Sequence, residues 1–211
     1  MGFVRIDRAG LPFIGGALAL GLAAGAAIAW WLVWPFAALA GVFLFFFRDP
    51  DRAVATGSDV VVSPADGRVL VAGPAIPDAS PPGEWQQISI FLSPLDVHVN
   101  RIPASGRVTQ VSYKPGRFLP AYHRDAAAAN ERSEIWIDHG GQTIVARQVV
   151  GILARRVVCR LNIGATVRAG ERYGIMKFGS RMDVFLPLTA ELRVKVGDAV
   201  RGGETLIAVL H

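Results

Sequence analysis

Cysteine is almost absent from this chain: Cys159 is the single one among 211 residues. No internal disulfide can form, and a lone thiol in the apolar run Val157-Val158-Cys159 reads as a small buried residue rather than a nucleophile. The His and Cys spacings of a zinc site are also missing, so no metal centre is expected. Basic residues exceed acidic ones, 22 against 17, for a net charge of +5. They are scattered and no RNA or DNA motif accompanies them, which excludes nucleic acid as the expected partner and favours an anionic lipid surface. Charge of either sign is lacking from the 37 residues Leu11 to Phe47, although the rest of the chain has ordinary globular composition.

A single helix over that run would be about 55 Å long, well beyond a hydrocarbon core of roughly 30 Å. One straight span is therefore not expected. Proline removes a backbone donor and clashes with the preceding turn, so Pro35 predicts a break and two membrane-embedded helices over 11–33 and 35–47. The second is short for a full crossing, which leaves a re-entrant hairpin and two clean spans both open. Arg5 and Arg8 precede the run and Arg48 and Arg52 follow it, so both ends are expected on the cytoplasmic side of the cell (inner) membrane. Trp30, Trp31 and Trp34 suit the opposite interface. The run is too long for a signal peptide. Residues 1–49 thus read as an N-terminal anchor and 50–211 as a separate domain on the cytoplasmic face.

Beyond residue 50, short alternating runs punctuated by Gly and Pro predict a mainly β domain, with strands over 60–62, 68–71, 87–92, 106–113, 133–138, 143–149 and 157–162. Helical signal is thin; Leu119 to Arg132 carries the best of it, through Ala126 to Ala129, and a loop there is equally compatible. Two pieces, Val61–Val71 and Leu192–Leu210, look like the halves of a barrel-sandwich hybrid, with a weaker echo over 165–174. Biotinyl and lipoyl carriers use that fold, so a non-enzymatic membrane-anchored carrier-like module is the rival reading. Such a carrier needs an exposed lysine at a hairpin tip; Lys195 reads as lying inside a strand and Lys177 precedes Phe178-Gly179-Ser180, and neither fits well.

Four ordered blocks point elsewhere. They are Ser63-Pro64-Ala65-Asp66-Gly67; Phe91 to Arg101, reading FLSPLDVHVNR; Lys114-Pro115-Gly116-Arg117-Phe118 with Asn130-Glu131-Arg132; and Lys177 to Val184, reading KFGSRMDV. In this order they resemble the short form of the phosphatidylserine decarboxylases, pyruvoyl enzymes that generate their own cofactor by self-cleavage. The resemblance covers most of residues 48–211.

It implies cleavage between Gly179 and Ser180, giving a larger chain 1–179 and a smaller chain 180–211 that must stay associated. A serine hydroxyl is a weak nucleophile and a planar peptide resists attack, so the step needs a base and donors for the oxyanion. Attack by the Ser180 oxygen on the Gly179 carbonyl gives an ester; elimination then releases the chain ending at the Gly179 carboxylate and leaves dehydroalanine, which takes up water and loses ammonia to become a pyruvoyl group at residue 180. The resemblance further implies a Schiff base between that group and the amine of phosphatidylserine, loss of carbon dioxide, and phosphatidylethanolamine as product.

His98 is the implied proton-handling residue, and Asp66 the partner that orients or activates a base. Longer members resemble Asp-x-His-x-x-His in the second block, whereas this chain has Arg101 at the second His position. Arginine stays protonated. The self-cleavage base is then either His98, serving both steps, or His123. For the phosphodiester headgroup, Arg101, Lys114 and Arg117 are the candidates, with His123 near them in sequence. The partners implied are a phospholipid in the membrane and the two cleaved chains, with a homo-oligomer left open.

Overall fold

The computed structural model describes residues 4–123, 125–152, 156–177 and 180–211. The chain divides into two compact units, Met1–Asp51 and Arg52–His211. In the first, β1 (Val4–Ile6) leads into α1 (Leu11–Ala27), α2 (Val33–Phe46) and β2 (Arg48–Pro50). β1 and β2 pair antiparallel, so the polar ends of the apolar hairpin are tied together. Phe13 packs against Phe43 and Phe47, each at 5.5 Å between ring centroids.

The break in the apolar run is not at Pro35. α1 ends at Ala27, Ala29 is extended, and Trp30–Leu32 form a short 3-10 turn before α2 begins. Pro35 falls in the first turn of α2, where its missing N–H has no intrahelical partner to lose and its fixed φ already suits the helix. The helix Arg8–Ala27 is long and apolar enough to cross a membrane; Trp30–Phe46 is shorter.

The second unit is mainly β. Its elements are β3 (Val60–Val62), β4 (Gly67–Pro74), β5 (Gln86–Leu92), β6 (Val99–Arg101), β7 (Gly106–Lys114), α3 (Ala126–Ala129), β8 (Arg132–His139) and β9 (Gln142–Val150), followed by β10 (Val157–Cys159), β11 (Thr166–Val167), β12 (Arg172–Met176), β13 (Ser180–Leu186), β14 (Glu191–Leu192), β15 (Ala199–Val200) and β16 (Leu206–Val209). Eight strands form one sheet in the order β11-β7-β8-β9-β13-β5-β4-β15, beside three-stranded sheets β10-β12-β6 and β14-β16-β3. The predicted strands stand within a few residues of these bounds. β10 is the shortest relative to expectation, because after Arg160 donates to the Tyr173 carbonyl the chain leaves the ladder for the turn at Gly164. Lys195 is exposed and lies outside a strand, one residue before the Val196-Gly197 turn.

Alternation along β5, β8, β9 and β13 turns Ile88, Ile90, Leu92, Ile135, Ile137, Ile144, Ala146, Met182 and Val184 into one buried core, which Val61, Tyr173, Met176 and Ile207 of the smaller sheets share. Burial of each large side chain contributes about 1.5–3 kcal/mol. The other face of the same four strands is mixed: beside Val145, Val149 and Phe185 it carries Gln87, Ser89, Glu134, Arg147, Arg181 and Asp183, all of them buried. The segment after β4 covers it: Arg147 Nη1 donates to the Ala79 carbonyl, and the Ile76 N–H donates to Gln87 Oε1 at 3.0 Å.

Candidate active site

β13 starts at Ser180, which is opposite Leu92, the last residue of β5, and opposite Val150, the last residue of β9. Gly179 and Phe178 lie outside the described residues, and of Ser180 only the strand position is described. Antiparallel pairing therefore puts the start of β13 and the ends of β5 and β9 at one end of the large sheet. The same end holds the start of β4 at Gly67, the start of β8 at Arg132 and the end of β7 at Lys114. Every block singled out in the sequence leaves the sheet here. With strands about 4.8 Å apart, Gly67 lies about 10 Å from β13 on one side and Lys114 about 14 Å on the other.

Two glycines permit the convergence. Gly67 has φ +151°, and a Cβ there would overlap the carbonyl of Phe91, so β4 can begin against β5 only without a side chain. A Cβ at Gly116 would overlap the backbone of Asn130, which brings Lys114 to Arg117 against the segment before β8.

His98 is fully buried at the entry to β6. Its Nδ1–H donates to the Asp96 carbonyl at 2.9 Å, because a carbonyl only accepts. That bond assigns the lone pair of the neutral ring to Nε2. Its own carbonyl accepts from the Met176 N–H at 3.3 Å, four residues before Ser180. The loop between Leu92 and His98 thus bridges the residue opposite Ser180 and the strand that runs into it. Asp96 shapes this loop, accepting the Ser93 N–H on Oδ2 at 2.7 Å.

Asp66 is placed differently from the sequence expectation. Arg52 Nη2 donates to its Oδ2 at 2.7 Å and the Gly202 N–H donates to its Oδ1 at 2.7 Å. Arg52 also reaches Glu204 Oε2 at 3.2 Å. The described partners of Asp66 therefore tie the 63–67 turn to residues 52 and 202–204, and His98 is not among them.

Arg101 also departs from its assigned part. It is buried, its Nη1 donates to the Gly170 carbonyl at 3.1 Å, and its N–H donates to the Pro64 carbonyl at 2.8 Å. A guanidinium enclosed in this way braces the turns at 64 and 170 and is poorly set to meet a headgroup arriving from outside. Lys114 and Arg117, in contrast, are exposed. His123 is half exposed, and its Nδ1 accepts the Asp125 N–H at 3.2 Å. Beside it Tyr122 meets Phe91 edge to face, 6.1 Å between centroids, which brings this segment to the residue before Leu92.

Three arrangements went unread in the sequence beyond their membership of a block. Asn130 is fully buried; its Nδ2 donates to Val150 and Leu119 carbonyls, each at 2.8 Å, and its Oδ1 accepts the Leu119 N–H at 2.9 Å. Arg181 Nε donates to Asp183 Oδ1 at 2.6 Å and its Nη2 to Ser89 Oγ at 2.9 Å, all three residues being buried. Gln148 Nε2 donates to Asn100 Oδ1 at 2.8 Å in the interior. Nearby, burial and the adjacent Arg147 pull the Arg132 guanidinium below its ordinary value. Charged side chains at alternate positions inside one apolar strand, as in Ser180-Arg181-Met182-Asp183, are the one signal that could have exposed the Arg181 network.

Comparison with known proteins bears on the same blocks. A family model described as phosphatidylserine decarboxylase matches residues 39–208. A phosphatidylserine decarboxylase proenzyme of Geotalea daltonii is 44% identical over 208 residues, covering 98% of this chain and 97% of that protein. One of Ralstonia nicotianae is 41% identical over 206 residues, with 97% and 95% covered. One of Chlorobium chlorochromatii is 47% identical over 165 residues, with 78% and 77% covered. With matches of this extent across all four blocks that meet at the Ser180 end of the sheet, the chain belongs to the phosphatidylserine decarboxylase family.

Proposed function

We propose that this chain is a membrane-bound proenzyme that cleaves itself between Gly179 and Ser180, becomes a pyruvoyl-dependent decarboxylase, and converts phosphatidylserine to phosphatidylethanolamine. The observation that carries this reading is the convergence of the four family blocks on the first residue of β13. Relatives named as decarboxylase proenzymes, matching nearly the whole chain, support the activity and the maturation together. The carrier-like alternative has no such support.

The residues at the site fit a group made from Ser180. A chain beginning at residue 180 would still be hydrogen-bonded to β5 on one side and β9 on the other, so the smaller piece stays seated after cleavage. The pyruvoyl group supplies an electron-accepting carbonyl for the substrate amine. His98 holds its ring through the Asp96 carbonyl and presents Nε2 for proton transfer at the substrate α-carbon. Its burial keeps that proton from bulk water. Asp66 acts through Arg52 and Gly202 to hold the 63–67 turn against β5. Lys114 and Arg117 supply the exposed cations for the phosphodiester, with His123 beside them.

In this reading residues 1–49 anchor the domain to the cytoplasmic face of the cell membrane, with the helix Arg8–Ala27 inserted. The pairing of β3 with β16 and of β4 with β15 is what joins two halves of a barrel-sandwich hybrid. Membranes carrying the chain should release carbon dioxide from phosphatidylserine labelled in its carboxylate, and Ser180→Ala membranes should not. Equal release from both would refute the assignment.

A further inference from the structure

Of the nine large apolar side chains exposed in the second unit among the described residues, five stand on the loops and strand ends at the Ser180 end of the sheet: Leu95, Tyr113, Phe118, Tyr122 and Ile152. They are 40% to 72% exposed, in a unit whose strands bury most of their large apolar side chains. Their positions are set by the register. Leu95 follows Leu92 and Ile152 follows Val150, the two residues opposite Ser180. Phe118 and Tyr122 belong to the segment that Asn130 fastens to the Val150 carbonyl. Isolated exposed apolar residues need no explanation, but a cluster of them at one end does.

The charges around this rim have one predominant sign. Lys114, Arg117 and Arg156 are exposed at the same end. Of the acidic groups there, Asp96 is occupied by the Ser93 N–H, Asp125 stands beside His123, and Glu131 is buried against Tyr113. Aromatic and aliphatic tips interleaved with cations are the composition that seats a protein at the headgroup level of an anionic bilayer.

We propose that this rim is a bilayer-docking surface. Leu95, Phe118, Tyr122 and Ile152 enter the boundary between headgroups and acyl chains, while Lys114, Arg117 and Arg156 lie level with the phosphates. The inference rests on the reading of the Ser180 end as the active site, and it adds how a lipid reaches it. The headgroup rises into the site with its tails still in the membrane, because the loops around Ser180 are themselves immersed. The attraction is short-ranged, falling off over a Debye length of about 10 Å at 0.1 M salt, so docking weakens as salt rises.

Two measurements on the full chain in proteoliposomes test this. In the first, Ile152→Cys in a Cys159→Ser background carries a polarity-sensitive fluorophore, in phosphatidylcholine with or without phosphatidylglycerol. The expected result is blue-shifted emission with phosphatidylglycerol that reverts in high salt. Aqueous emission with both lipids overturns the proposal; so does an equal, salt-insensitive blue shift with both lipids, which indicates a second copy of the chain on the rim in place of the anionic bilayer. In the second, Phe118→Ser/Ile152→Ser is assayed on a long-chain serine-headgroup lipid in the bilayer and on a short-chain, water-soluble one. Bilayer turnover should fall roughly fivefold or more, with soluble turnover within about twofold of wild type. Equal losses on both substrates, or no loss on either, overturn it. Should the wild type turn over neither lipid, the decarboxylase assignment fails, while the fluorophore still reports on the surface.

Discussion

The side chain of Asn130 donates a hydrogen bond of 2.8 Å to the carbonyl of Val150, the residue paired with Ser180 across β9 and β13. With its other bonds to Leu119, this buried amide fastens the loop bearing Lys114, Arg117 and His123 to the strand beside the proposed cleavage site. The loop's place is therefore set by the backbone next to Ser180.

Asn130→Ala leaves buried carbonyls without a donor, and each such group costs about 1–3 kcal/mol. Asn130→Asp should be no milder, since a carboxylate would then face the Leu119 and Val150 carbonyls. Both variants should melt earlier and lose turnover on phosphatidylserine. A wild-type melting temperature in both would show that the amide does not hold this loop.

His98 can be separated from a packing role by His98→Gln, which keeps a donor for the Asp96 carbonyl and removes the Nε2 lone pair. In cleaved protein, turnover should drop by about two to four orders of magnitude. Full turnover in a cleaved His98→Gln sample would reduce His98 to a structural residue.

How far the sequence revealed this arrangement differs from element to element. The strands were legible because apolar residues recur at every second position in β5, β8 and β13, as Ile88, Ile90, Leu92, Ile135, Ile137, Met182 and Val184 do. The apolar run was legible as a hairpin, but its break was misplaced, since a proline marks a helix's first turn as readily as its end. Asp66 and His98 were recognisable from their blocks, whereas the Arg52 and Gly202 partners of Asp66 were not, since Gly202 is 136 residues away and only folding brings it near. Arg101 looked like a surface cation because burial against Gly170 leaves no local trace.

The Arg181 and Asp183 pair should be strongly coupled. Removing one partner, as in Arg181→Met, leaves a buried charge alone and costs about 3–5 kcal/mol, while Arg181→Met/Asp183→Leu should cost less than the sum of the single changes. Denaturant midpoints of the four proteins measure this. The single variants should also let fragment 180–211 separate from 1–179 on gel filtration. Additive losses would mean the pair is not a unit.

Alkaline pH should destabilise the domain through two groups. Burial pushes the Tyr173 hydroxyl well above its ordinary value and raises the Cys159 thiol as well. Both keep their protons longer folded than unfolded, so their contribution is complete below the unfolded values, about 8.5 for Cys and 10 for Tyr, and is lost as pH rises past them. Melting temperature should fall between about pH 8 and 11, and Tyr173→Phe should flatten the upper part of that fall. An unchanged slope in Tyr173→Phe would acquit the tyrosine.

The intact mass of the mature protein tests self-cleavage at Ser180 most directly. The account predicts two chains, 1–179 and 180–211, the smaller with a mass and blocked amino terminus that correspond to pyruvoyl in place of Ser180, and one uncut chain for Ser180→Ala. Active protein with an unbroken chain through residue 180, or a smaller chain that begins with a free amino group, would contradict it.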